Sequence, residues 1–256
     1  FRSGFGSDVF TGGPRFDSVN VRADGNDVVK TRGGTDSVDV LAGPGERRPR
    51  VSLGPGNDTL WLSLSGTDSP RPFDGGRGRD VVYFVHSSKS TWTIDNRKGR
   101  ASTRQETRLG WRGLEVFDLT FLRVPGVRFK GSEASESFYT QDLRRKPKRY
   151  AIDMGGGDDD VHVSSRSEGM IDGGTGSNAL AIGVNYPDGL DTLTADLQTG
   201  TATVSYGAEE LHWTLAGVQA LSASDFPQIT LRGDDASNFL VARGCTTSLV
   251  GRGGSD

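Results

Sequence analysis

Four aspartates near the start of the sequence, Asp8, Asp17, Asp27 and Asp36, follow one another at spacings of 9, 10 and 9 residues. They close the stretches "SGFGSD", "GGPRFD", "ADGND" and "TRGGTD", and two places after each comes one apolar residue, Phe10, Val19, Val29 or Val38. Aspartate favours turns, and its short arm makes it a hard-oxygen ligand. Glycine supplies the positive-φ backbone that tight turns need. Carboxylates held at fixed intervals by glycine turns point to oxygen ligation of a cation, not to nucleophilic chemistry.

The pattern continues further along. "LGPGNDTLW" carries Asp58, "GGRGRDVVY" Asp80, "MGGGDDDVH" Asp159 and "GGTGSNALA" Asn178, while "GRGGSD" stops at Asp256. The accompanying glycines of the candidate turns include Gly6, Gly25, Gly34, Gly56, Gly76 and Gly78. In the triple acid Asp158–Asp160 the alignment selects Asp159 as the ligand. Two departures weaken the array: "AGPGERRPR" has Arg47 where the acid belongs, and Asn178 lacks the charge. Arginines also crowd the turns (Arg15, Arg22, Arg32, Arg77, Arg79, Arg252), each a permanent cation able to pair with an acid next door.

The elements that must position these turns are short strands. One apolar side chain per nonapeptide, between polar neighbours, has the period of two of a strand with one buried face. Aspartate outnumbers glutamate 25 to 8, 37 residues are glycine and only 33% are hydrophobic, which is thin for a helical core. No segment carries helical periodicity; the nearest candidate, residues 133–145, aligns with "DDASNFLVARG", which reads as turn and strand.

A longer repeat overlies the short one. "FDGGRGRDVVYF" at 73–84 matches "IDGGTGSNALAI" at 171–182, and "TWTIDNRKGRAS", "GLEVF" and "VRFKGSEAS" match "TLTADLQTGTAT", "GVQAL" and "ITLRGDDAS" in the same order. The blocks argue for a duplication of about 100 residues, the usual signature of a repeat architecture. The chain is expected to divide into a nonapeptide ladder (1–86), a first spacer with a repeat (87–170) and a duplicated spacer with a truncated repeat (171–256). Strands are expected at Trp92–Asp95 and Leu193–Leu197, with turns near Gly99 and Gly200.

The nonapeptides resemble the hemolysin-type calcium-binding repeat, GGxGxDxUx, of the RTX family of secreted bacterial proteins. The resemblance implies an all-β chain: a parallel β-roll or right-handed β-helix solenoid, interrupted by longer spacer strands and hairpins. It also implies calcium shared between units two apart, pairing Asp8 with Asp27, Asp17 with Asp36 and Asp36 with Asp58. Carboxylates stacked about 4.8 Å apart would repel by roughly 3 kcal/mol per pair at an effective dielectric of 20. A calcium ion, which takes six to eight oxygens, converts that repulsion into cohesion. Folding on calcium, fewer live sites around residues 41–53, a secreted or cell-surface location and a structural role as scaffold or spacer are the further expectations.

Other classes fare less well. A net charge of −3 gives no field that calls for nucleic acid, and no run of about 18 apolar residues spans a membrane. The single Cys245 excludes an intrachain disulfide. No H-E-x-x-H or G-x-S-x-G occurs and His86, His162 and His212 are scattered, so no catalytic or cofactor-binding residue is assigned. Two alternatives stay open: a carbohydrate-active β-helix (lyase or epimerase), or an adhesive surface module contacting cell-surface glycans. Of Trp61, Trp92, Trp111 and Trp213, candidate sugar-stacking residues, Trp92 and Trp111 read better as core. The basic run Arg144–Arg149 reads as an exposed loop, with a contact to anionic polysaccharide as its functional alternative. Both ends interrupt a repeat, so flanking domains of a longer parent chain are expected.

Overall fold

The structure is a computed structural model that describes residues 1–43, 49–64, 72–103, 109–141, 147–183 and 192–256. Among them regular structure is almost entirely strand, with a single 3-10 turn at Asn96–Lys98. No described helix is long and apolar enough to cross a membrane. The chain forms two compact units, Phe1–Pro125 and Gly126–Asp256.

In the first unit successive strands alternate between two parallel sheets. One stacks Val9–Thr11, Val28–Lys30, Arg50–Pro55, Phe73–Arg77 and Leu109–Arg112; the other stacks Ser18–Arg22, Ser37–Ala42, Thr59–Leu64, Val81–Ser87 and Val116–Asp118. This is a parallel β-roll or β-helix solenoid, as the period-two text requires. Register follows the buried face, because a slip of one residue would turn every apolar side chain outward. Val19, Val38, Leu60, Val82 and Phe117 stand in one pairing row, all fully or almost fully buried. Each such burial stabilises by about 1.5–3 kcal/mol.

The second unit repeats the plan. One sheet runs Gly126–Lys130, Lys148–Asp153, Ser167–Asp172, Glu209–Ala216 and, past an antiparallel excursion, Gln228–Arg232 and Thr246–Val250; its companion runs Ser137–Tyr139, Asp160–Ser164, Ala179–Gly183, Ala220–Ser224 and Phe239–Arg243. Phe138, Val161, Leu180 and Leu221 make the equivalent buried row.

The duplicated blocks are the places where a coil swells. Trp92–Asp95 and Arg100–Ser102 pair antiparallel and lead into Leu109–Arg112, which rejoins the parallel sheet; Thr192–Asp196, Thr201–Tyr206 and Glu209–Ala216 do the same in the second unit. Gly99 and Gly200 close the two hairpins in the left-handed region, at φ 55° and 64°. Trp92, Trp111 and Trp213 are buried. Residues 132–135 are turn and Ser137–Tyr139 strand in the segment that came nearest to helical text, and residues 142–146 lie outside the described ones.

Candidate functional site

In each unit every strand named above for the second sheet is preceded by a turn whose last residue is an acid or an amide, so the turns build a column of oxygens along that edge. In the first unit the backbone N–H of Asp17 donates to Asp36 Oδ1 (2.8 Å), Asp36 to Asp58 Oδ1 (2.7 Å), Asp58 to Asp80 Oδ1 (2.8 Å) and Asp80 to Glu115 Oε2 (2.9 Å). In the second, Glu136 donates to Asp159 Oδ1 (2.8 Å), Asp159 to Asn178 Oδ1 (3.0 Å) and Asn178 to Gln219 Oε1 (2.7 Å), and farther along Asn238 donates to Asp256 Oδ1 (2.7 Å). On the opposite edge Asp8 donates to Asp27 Oδ1 (2.8 Å). Arg47, the next position expected on that edge, lies outside the described residues.

In five of these side chains, Asp27, Asp36, Asp58, Asp80 and Asp159, one oxygen is committed to the neighbouring coil and the other is not. Oδ2 of Asp27, Asp36, Asp58, Asp80 and Asp159 is buried and has no hydrogen-bond partner among the described residues. A buried, unpartnered carboxylate oxygen is costly. Burial accordingly pushes the Asp80 carboxyl up to about 7, opposed by the N–H of Asp58 and reinforced by the charges of Asp58, Glu115 and Asp74. Asp159 is pushed up to about 6, also chiefly by burial. Asp27 and Asp58 are raised for the same reason.

The turns bring backbone carbonyls to these oxygens. A Cβ added to Gly75 would overlap the Gly113 carbonyl oxygen and lie 2.6 Å from Asp80 Oδ2, so the two oxygens crowd one point with only glycine to leave room. The next turn position needs positive φ: Gly54 and Gly76 occupy it at 97° and 108°, and Arg32 adopts it at 73° despite its side chain. No group of three or more His, Cys, Asp or Glu side chains gathers among the described residues. A cation on this edge would therefore take most of its ligands from carbonyls, which suits calcium and not a nitrogen- or sulfur-seeking metal.

The second unit answers the same geometry differently. Asn178 corresponds to Asp80, and its Oδ1 accepts from Asp159 as Asp80 Oδ1 accepts from Asp58. In place of the unpartnered oxygen stands Nδ2, which donates to the Gly217 carbonyl at 2.9 Å. Gln219 likewise replaces Glu115.

The remaining expected residues fall in several places. Asp8 and Asp17 are half-buried, and their Oδ2 atoms accept from Gly4 and Gly13 (2.9 and 3.0 Å); Asp256 is exposed. Asp158 Oδ1 accepts the Ser177 N–H (2.8 Å), whereas Asp159 is the buried member of its triple. Gly6, Gly34, Gly56, Gly76 and Gly78 take positive φ, and a Cβ on Gly25 would overlap the Gly6 carbonyl. Four column members, Glu115, Glu136, Gln219 and Asn238, escaped the aspartate-based motif. Two had a signal: "GSEASE" and "GDDASN" keep glycine five places before the acid or amide, at Gly131 and Gly233.

Arginine also serves as a cation supplied by the chain. Arg252 holds Asp196 through two 2.7 Å bonds and donates to the Gly233 carbonyl, also at 2.7 Å. That guanidinium keeps the Asp196 carboxyl below its ordinary range. In the basic run, Lys148 is buried and Arg149 pairs with Glu168 at 2.7 Å, while Arg144–Lys146 lie outside the described residues.

Away from the column, Trp61 stacks on Tyr83 (4.0 Å, 8°) beside the exposed Phe121. An open pocket nearby is lined by Arg22, His86, Arg123, Ser63 and Ser87 among others, with no carboxylate among the described lining residues. No protein-family model matches the chain, and no curated protein matches it.

Proposed function

We propose that this chain is a calcium-stapled structural solenoid, a scaffold or spacer of a secreted or cell-surface protein that folds when calcium reaches about 0.1–1 mM, the range of extracellular calcium modules. The observation that carries the reading is the set of five buried, unpartnered Oδ2 atoms on Asp27, Asp36, Asp58, Asp80 and Asp159. Left alone, each opposes folding; beside a calcium ion, each becomes a ligand. The chain's own residues hold the coils in register, turn carbonyls towards the column and exclude water from the carboxylates. The ion would supply the positive charge they lack.

The test is a calcium titration of the chelated protein, followed by far-UV circular dichroism with the bound ions counted by calorimetry. β signal should rise with several ions bound, and an Asp27→Ala, Asp36→Ala double variant should bind fewer. A chain equally folded in chelator, taking up no calcium, would refute the proposal.

A further inference from the structure

The two copies of the duplicated turn differ by one atom at the point that matters. In "GGRGRD" the Asp80 side chain is fully buried; Oδ1 accepts the Asp58 N–H, while Oδ2 has no hydrogen-bond partner among the described residues and lies, like the Gly113 carbonyl oxygen, within 2.6 Å of the point a Cβ on Gly75 would occupy. In "GGTGSN" the Asn178 side chain is 2% exposed; Oδ1 accepts the Asp159 N–H and Nδ2 donates to the Gly217 carbonyl. The carbonyl is presented alike in the two copies, with Gly113 at φ 60° and Gly217 at φ 61°, while the turn glycines differ, Gly76 at 108° against Gly174 at 74°. The amide orientation is fixed by its partners, since the Asp159 N–H needs an acceptor and the Gly217 carbonyl a donor. The side chains behind are exchanged as well, Glu115 for Gln219, so a pair of acids in one copy is a pair of amides in the other.

We propose that the Asn178 amide does covalently what a bound cation does at Asp80, so that the turn at 173–178 closes without metal, and that position 178 against position 80 decides which copy takes an ion. The inference rests on the calcium reading for its cation half. An amide N–H that takes the place of one oxygen and donates to the other contributes the positive end of a dipole where a divalent ion would contribute full charge. It satisfies the carbonyl, leaves no charge to desolvate and needs no ligand from solution. Arg252 supplies an independent example in the same unit, its guanidinium bonded to both the Asp196 carboxylate and the Gly233 carbonyl. The second unit therefore answers buried oxygens with donors of its own chain at both places.

Two isosteric exchanges on the full chain test this. Asp80→Asn keeps the acceptor for the Asp58 N–H and places an N–H against the Gly113 carbonyl. It should melt higher than the parent in chelator and bind one calcium fewer by equilibrium dialysis. Asn178→Asp should melt lower in chelator, bind one calcium more and regain parental stability when calcium is added. The melting temperatures in chelator involve no bound ion, so they judge the amide half even if the parent takes up no calcium, the result that would refute the calcium reading instead. Asp80→Asn melting at or below the parent in chelator, or failing to fold, would overturn the inference. So would Asn178→Asp melting like the parent in chelator. An Asn178→Asp chain that is weakened but neither binds calcium nor regains stability with it would overturn the claim that position 178 selects for an ion.

Discussion

The turn ending at Asp80 and the turn ending at Asn178 occupy matching places in the duplicated blocks and share hydrogen-bonding direction, yet one ends in a buried carboxyl with an unpartnered oxygen and the other in a satisfied amide. The difference extends along each unit. The first has Asp17, Asp36, Asp58, Asp80 and Glu115 in its column, whereas the second mixes Glu136 and Asp159 with Asn178, Gln219 and Asn238. An edge closed by donors belonging to the chain needs nothing from solution, whereas on the calcium proposal an edge of buried carboxylates makes folding depend on the surroundings.

The largest consequence concerns where the chain opens when calcium is removed. Each short coil buries few apolar side chains while ordering some twenty residues at about 1–2 kcal/mol of backbone entropy apiece. With like charges stacked above and below, the first unit should lose amide-exchange protection in chelator at Ser37–Ala42 and Thr59–Leu64. The strands Ala179–Gly183 and Ala220–Ser224, which follow the amide turns, should keep more of theirs. Exchange followed by mass spectrometry resolves these segments. Equal loss in both units would break the contrast.

A smaller effect is expected from pH, and its sign is specific. Asp80 titrates near 7 and Asp159 near 6 in the folded chain, against an ordinary 3.8. Between about 4 and about 7 the folded, metal-free state therefore holds more protons than the unfolded one, so these groups stabilise it fully below about 4 and stop doing so as pH rises through 6 and 7. In chelator the melting temperature should fall between pH 5 and pH 8, and the gain from saturating calcium should grow over the same interval because the ion needs ionised carboxylates. Asp80→Asn should flatten the first profile. A chelated melting temperature that rises with pH would show that protons do not stand in for the missing cation.

Much of this edge was readable from the residues. Nine-residue spacing with an apolar partner two places on is enough for strand, inward face and turn, because a period of two leaves little freedom once glycine marks the bends. Val19, Val38, Leu60 and Val82 are buried for that reason. The swollen coils were also legible, through the matched blocks that end in the Gly99 and Gly200 hairpins. What the motif hid was Glu115 and Gln219. They reach the column from coils that depart through a hairpin, 35 and 41 residues after Asp80 and Asn178, a separation no nine-residue pattern anticipates. Nor could spacing tell which oxygen of Asp80 is engaged and which is orphaned, since that depends on a carbonyl contributed by Gly113, thirty-three positions away.

The smallest effect belongs to Arg252, and it sharpens the comparison by asking what kind of cation the second unit has adopted. A guanidinium offers parallel N–H groups to both oxygens of a carboxylate, and here one nitrogen also reaches the Gly233 carbonyl. Lysine keeps the charge but loses the fork. Because the pair lies at the surface, with the arginine side chain 25% exposed and the aspartate 12%, water screens part of the attraction, and Arg252→Lys should lower stability only slightly. The Asp196 carboxyl is held below its ordinary 3.8, so the pair contributes above that value and its contribution is lost as pH falls through the lowered one. The deficit of the lysine variant, read from urea unfolding at saturating calcium, should thus be present at pH 7 and shrink towards pH 3. If bidentate bonding is what matters, Arg252→Met will cost little more than Arg252→Lys. If charge alone matters, lysine will match the parent, and the arginine will then act as a point cation like the calcium proposed for the first unit.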